Sequence, residues 1–220
     1  VKKKQNPEEI EPQIRQSSEF EKKEIVDTNQ IAALIDKAKE EEAAAVNTLL
    51  LAFSSDPFQR YLMPDSSIYL KNSTIWFNNA ASQSISIDAL LGTENYSGVA
   101  AWFPPDYVVQ FEAIEETLKD LPDNSQKDIF KYFKAFEENR PKDAWYLEYL
   151  GVDPSWHSKG LGSLLLKKSL EKIDTLHQSA YLESSNPRNM SLYERHGFEA
   201  VTKIQFGEGP PMHTMYREAR

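Results

Sequence analysis

The chain predicts an α/β (α+β) fold: a mixed, largely antiparallel sheet flanked by helices, with one parallel β-α-β unit. Three observations carry this. Two short apolar runs, Ser84–Leu91 and Tyr96–Phe103, flank the turn residues Thr93, Glu94 and Asn95 and read as a hairpin. An aromatic run at Asp143–Pro154 precedes a leucine-rich helical pattern at Gly160–Leu176 and a short apolar run at Ala180–Glu183, the order of a crossover between parallel strands. Two further runs, Phe198–Phe206 and Met212–Arg217, lie either side of the turn residues Gly207–Pro211.

The elements follow in order. Residues 1–24 are polar and of mixed charge and read as a tail or linker, with a short edge strand possible at Lys22–Asp27. Residues 25–220 read as one domain. From Gln30 to Phe53 apolar residues recur at three and four, the period of a helix, with Thr28 or Asn29 to cap it. Ser54–Asp65 breaks that pattern with two prolines, and a second helix is expected over Ser66–Ala80. The alternation of Ile85, Ile87, Ala89 and Leu91 predicts a strand, and Pro104 and Pro105 end the next one. Residues 106–141 read as a charged helical insertion split at Pro122, with Ile129, Phe130, Phe133 and Phe136 on one face. Asn189–His196 reads as a helix stopped by Gly197, a residue suited to the position just past a helix end.

Bulk properties narrow the function classes. With 220 residues, 40% of them hydrophobic, the chain can bury one substantial core. A formal net charge of -9 argues against a nucleic-acid-coating surface, which needs clustered Lys and Arg, and is compatible with cationic or amine ligands. The absence of cysteine removes disulfides, thiolate nucleophiles and thiolate metal sites, and no histidines show metal-ligand spacing, so no metal is expected. No apolar run is long enough for a membrane span, and the charged opening lacks the apolar core of a signal peptide. The expectation is a cytoplasmic monomer or homodimer without nucleic-acid or membrane partners.

The chemistry-bearing stretch is Gly151–Leu170. It contains Gly160 and Gly162 at the entry to a predicted helix, where unpaired backbone N–H groups and the helix dipole favour an anion. Phosphate must approach that backbone closely, and a Cβ obstructs it, so glycine fits. Ser163 adds a hydroxyl, and Lys159 and His157 lie beside the loop. Neither a Walker loop nor a third dinucleotide-type glycine is present. A tight turn with close helix packing is the plain alternative.

Two segments together resemble the GNAT acyltransferase superfamily. Leu150–Leu165, LGVDPSWHSKGLGSLL, resembles its acyl-CoA-binding motif, [QR]-x-x-G-x-[GA], with His157 where the family has Gln or Arg. Ala180–Val201, AYLESSNPRNMSLYERHGFEAV, resembles its later strand-to-helix motif. The second match, with Ala52–Phe58 and Val99–Pro105, is similar to the puromycin N-acetyltransferase branch. The resemblance implies transfer of an acetyl group from acetyl-CoA, with CoA as product, to the primary amine of a small molecule. It implies main-chain contacts to pantetheine from Leu150, Gly151 and Val152, and a pyrophosphate on His157, Ser158, Lys159, Gly160, Leu161, Gly162 and Ser163. Asn189 would bond the pantetheine arm, and Tyr193, four residues on, would be the general acid.

Glu148 is the candidate base. It stands in an apolar strand two residues from Tyr146, so both share a face, and burial would raise its pKa. A Glu148 paired with a buried cation, or turned to solvent, is the alternative. Tyr146, Trp102 and Phe58 are candidate substrate contacts, although aromatic residues equally serve as core. His177 and His196 are expected to face solvent. A protein lysine or N-terminal acetyltransferase, or a non-catalytic acyl-CoA-binding module, remain alternatives.

Overall fold

The computed structural model describes residues 28–220, with side chains described from Lys39 onward. The polar tail and the expected strand at Lys22–Asp27 lie outside the described residues. Six strands form one sheet: β1 (Leu90–Gly92), β2 (Gly98–Phe103), β3 (Ala144–Val152), β4 (Ser179–Ser184), β5 (Glu199–Ile204) and β6 (Met212–Arg217). Their order is β1-β2-β3-β4-β6-β5. Only the β3–β4 pairing is parallel, and helix α6 (Leu161–Thr175) is its crossover. The mixed, largely antiparallel sheet read from the sequence is therefore the observed one.

Helices cover both faces. On one, α1 (Thr28–Ala52) and α3 (Ser66–Ser86) bury Ala45, Val46, Leu49, Phe77 and Ala81 against Val99 of β2. On the other, Leu165, Leu166, Leu170 and Ile173 of α6 pack on Ala100, Trp102, Trp145, Leu147 and Leu182. Val99 and Ala100 are neighbours in β2 yet belong to different clusters, as strand alternation requires. The tight fit of α1 explains Gly151: a Cβ there would stand 2.9 Å from Leu49 and 3.0 Å from Ala52.

The Ser54–Asp65 break contains a short helix, α2 (Pro57–Leu62), whose first amides, Phe58 N and Gln59 N, donate to Asp56 Oδ1 at 3.0 Å. The insertion forms α4 (Glu112–Glu115), a 3-10 turn (Leu118–Asp120) and α5 (Asp123–Asn139), separated at Pro122 as expected. It is not a loose excursion. Ile129 and Tyr132 of α5 are fully buried with Phe58, Leu62, Met63 and Trp76, and only Phe130 of the expected face is turned out, 59% exposed.

One element differs from expectation. Ser84–Leu91 is not a strand: α3 runs on to Ser86, and β1 is confined to Leu90–Gly92. The serine hydroxyls find acceptors within the helix, Ser84 donating back to Ala80 O at 2.8 Å and Ser86 to Gln83 O at 2.7 Å. The last helix, α7 (Pro187–Arg195), starts two residues earlier than read, with Asn186 as cap and proline in its first turn.

Candidate active site

The geometry of β3 organises the site. Its pairing with β4 runs from Ala144–Ser179 to Leu147–Leu182 and stops, although β3 continues to Val152 and β4 to Ser184. The strands therefore separate at Glu148 on one side and Glu183 on the other. On the opposite edge of β3, Ala101 faces Tyr149 while Trp102 faces Leu147, so Glu148 is the extra residue of a β-bulge. A bulge re-aims side chains. Here it resets the alternation, so that Leu147 and Leu150 both pack toward α6 while Tyr149 meets Phe53 and Phe77 under α1 and α3.

Glu148 lines a cleft of about 850 Å³ together with Tyr146, Leu150, Phe58, Asn189 and Tyr193. The sequence thus placed both candidate catalytic residues and two of three candidate substrate residues on one cavity. Trp102 is the exception and a correction. It is 2% exposed beneath α6, paired with Leu147 on the other face of the sheet, and does not line the cleft. Phe103, its neighbour, takes the opposite face and stacks on Tyr107 at 5.0 Å.

Burial sets the electrostatics. It pushes the Glu148 carboxyl up to about 7, against the pull of the Arg140 guanidinium and the Tyr146 hydroxyl. Arg140 sits 4.2 Å over the centre of the Tyr146 ring. Tyr193, buried in the last turn of α7, has its hydroxyl pKa raised by burial first and by the Asp56 charge second, so it keeps its proton. Among the described residues its hydroxyl has no hydrogen-bond partner. Asn189 and Tyr193, four apart on α7, present the same helix face to the cleft, as their spacing requires.

Sequence reasoning missed two carboxyls here. Glu183 on β4 lines the same cleft, is pushed up to about 8 by burial and by the charge on Glu148, and has Oε1 buried without a hydrogen-bond partner. The signal that found Glu148, a glutamate within a short apolar strand, was equally present at Ala180–Glu183. Asp56 also lines the cleft; it caps α2 and accepts a hydrogen bond from Ser185 Oγ, and burial raises its pKa. Nothing local marks Asp56 as more than a cap, because Ser185 is 129 residues away.

The other half of the site is the loop from Val152 into α6. Asp153 caps the short turn at Pro154–Trp156, and the chain then runs exposed through His157, Ser158 and Lys159. Ser158 and Gly160 have φ of 61° and 80°, the left-handed conformation that turns successive amides to one side. Gly160 is the N-cap of α6 with no side-chain cap, whereas Asp56, Asp65 and Asn186 cap α2, α3 and α7. The first amides of α6, at Leu161, Gly162 and Ser163, thus have neither an intrahelical nor a capping acceptor. No heavy atom lies within 4 Å of where a Gly160 Cβ would stand. That open, donor-rich backbone fits a diphosphate.

The side chains around it are less uniform. His157 folds back, its Nε2 3.0 Å from Val152 O, and Lys159 lies 4.1 Å over the Trp156 ring. Ser163 Oγ is 2.7 Å from His196 Nε2, so His196 is half-buried at the cradle and not simply turned to solvent. His177 is exposed as expected. No group of three or more His, Cys, Asp or Glu side chains among the described residues could hold a metal ion. No helix among them is long and apolar enough to cross a membrane.

Comparison with known proteins fits this geometry. The family model described as an acetyltransferase (GNAT) domain matches residues 94–219. An uncharacterized N-acetyltransferase of Schizosaccharomyces pombe is 25% identical over 201 residues, 83% of this chain and 81% of that protein. Mycothiol acetyltransferase of Propionibacterium freudenreichii is 38% identical over 81 residues, 35% of this chain but 25% of that protein. Among solved structures, a histone acetyltransferase HPA2 and related acetyltransferase from Corynebacterium glutamicum has the same fold, with a TM-score of 0.60 and 23% identity over 83% of this chain and 93% of that one. The chain belongs to the GNAT acetyltransferase family and is an acyltransferase.

Proposed function

We propose that this enzyme is an acetyl-CoA-dependent N-acetyltransferase that acetylates the primary amine of a small molecule by direct attack on the thioester. The observation that carries the reading is the position of Glu148. A half-buried carboxyl, its pKa raised by desolvation to about 7, stands on a bulge where two strands part, in a cleft that also holds Tyr193.

Acetyl-CoA supplies the activated acyl group and a thiolate leaving group. The chain's own residues do the rest. The free amides of Gly160–Ser163 hold the diphosphate, and the edge of β3 left by β4 at Leu150–Val152 offers main-chain groups to the pantetheine arm, as to an added strand. Asn189 adds a side-chain amide on the α7 side. Glu148, once ionised, takes a proton from the acceptor ammonium, because only the free amine is nucleophilic. As the new C–N bond forms and the C–S bond breaks, the Tyr193 hydroxyl would give its proton to the departing sulfur, and the second proton lost by the nitrogen would restore it. Phe58 and Tyr146 wall the acceptor side and exclude water.

Tyr107, Phe111 and Phe133 of the inserted segment line the cleft, which favours a small acceptor over a protein chain. A non-catalytic acyl-CoA module would not need Glu148 and Tyr193 on one cavity. The lack of cysteine supports a reducing compartment, and we place the enzyme in the cytoplasm as a monomer or homodimer. The test is release of free thiol from acetyl-CoA across a panel of small amines, with an acceptor-free control. Amine-dependent release supports the reading. Release at the control rate with every small amine, and above it with a lysine peptide, overturns it.

A further inference from the structure

His196 is the residue at the C-terminal end of α7, just before Gly197. Its Nε2 lies 2.7 Å from Ser163 Oγ in the first turn of α6. This bond joins the helix that carries Tyr193 to the turn that carries the free amides. Its backbone is fixed on both sides: His196 N donates to Tyr193 O at 2.9 Å, and Arg217 Nε donates to His196 O at 3.0 Å. Arg217 is itself anchored by Asp174 of α6 at 2.7 Å. The imidazole therefore does not drift, and Ser163 is pinned with it.

A serine hydroxyl has one proton to give. When the imidazole donates from Nε2, the Ser163 oxygen is the acceptor, and its own proton is free to point outward beside the Leu161, Gly162 and Ser163 amides. We infer that His196 is a positioning residue of the diphosphate site, fixing the Ser163 hydroxyl as a donor toward the ligand and supplying a cation behind it when protonated. The inference rests on the cradle reading above. Without ligand, burial first and then the charges of Arg195 and Arg217 hold the imidazole below its ordinary pKa, so it is neutral near pH 7. The charged groups facing it are Arg195 on α7, Arg217 on β6 with its Asp174 partner, and Arg220, which lies against Gly197. A diphosphate beside Ser163 brings negative charge to a neighbourhood dominated by cations and favours protonation of the imidazole.

The test is calorimetric titration of the full chain with CoA and, separately, with pantetheine, which lacks the diphosphate. Wild type, His196→Phe, His196→Gln, Ser163→Ala and the His196→Phe/Ser163→Ala double variant are compared. At pH 8, where the imidazole is neutral, His196→Phe is expected to weaken CoA about 10-fold and leave pantetheine unchanged, while the double variant binds no worse than Ser163→Ala, because both then act through one hydroxyl. His196→Gln, which keeps a donor, is expected to stay within about 3-fold of wild type at pH 8. From pH 8 to 6 the wild-type affinity should rise relative to His196→Gln, a comparison that cancels the titration of CoA itself. Equal weakening of CoA and pantetheine, additive losses in the double variant, or parallel pH profiles would each overturn the inference. Failure of the cradle reading is distinct: wild type and Gly160→Trp would then bind CoA alike.

Discussion

The two halves of the site are built by opposite means. The turn into α6 is exposed, shaped by the left-handed Ser158 and Gly160, and rich in donors left free by the absence of a cap. The cleft beyond Leu147 is buried and crowded with carboxyls, Glu148, Glu183 and Asp56, that burial drives toward the neutral form. The first half binds by leaving backbone polar groups unsatisfied where water reaches them. The second works by withholding water from groups that need it. A substitution in the first should therefore be read in ligand affinity, and one in the second in the pH dependence of the rate.

The largest expected effect is in the cradle. Gly160→Trp places an indole where the backbone is open and forces φ of 80° on a residue with a Cβ. The strain is on the order of 1–2 kcal/mol, small enough for the fold to survive. CoA binding should fall at least about 100-fold with circular dichroism unchanged. Retained affinity in calorimetry would mean that the diphosphate sits elsewhere.

Next comes the base. Glu148→Gln should lower kcat about 100-fold, the range of a single acid–base group. In wild type the carboxyl is protonated and idle below about 7 and active above, so activity rises with pH through that value. The variant should lose this limb. An unshifted acidic limb would assign the titration to another group. Tyr193→Phe should be milder, lowering kcat about 10-fold with CoA affinity within about 2-fold, since the ring and its edge-on packing at 6.1 Å from Phe198 are kept. Equal rates would make Tyr193 a packing residue only.

The contrast also explains what the sequence made legible. The cradle is local: Gly160, Gly162 and Ser163 and the helix they open fall within a few residues, so their spacing suggested an anion site and the family motif singled it out. Glu148 was read from its strand, two residues from Tyr146, whereas Asn189 and Tyr193 came from the resemblance to the family's later motif, and their spacing of four added only that they share a helix face. The rest depended on distant pairings. Arg140 reaches Tyr146 from the end of the insertion, Ser185 reaches Asp56 across the chain, and His196 reaches Ser163 from another helix. Trp102 went astray for a related reason. Its face is set by strand pairing with β3, and the bulge that re-aims Glu148 is a property of two strands together.

The smallest effect sharpens the comparison most, because it separates burial from catalysis. Glu183 is raised by burial from the ordinary glutamate value to about 8. An unfolded chain ionises it near 4.5, so between these values the native state binds more protons and stability falls as pH rises. Above about 8 both states are ionised, and the full penalty of a buried charge is present. Glu183→Gln keeps the shape and removes the charge. Its melting temperature should match wild type near pH 4, exceed it increasingly up to about pH 8, and then run parallel. A Glu183→Gln difference that is flat from pH 5 to 9 would mean that water reaches this carboxyl, and the cleft would then be an open one.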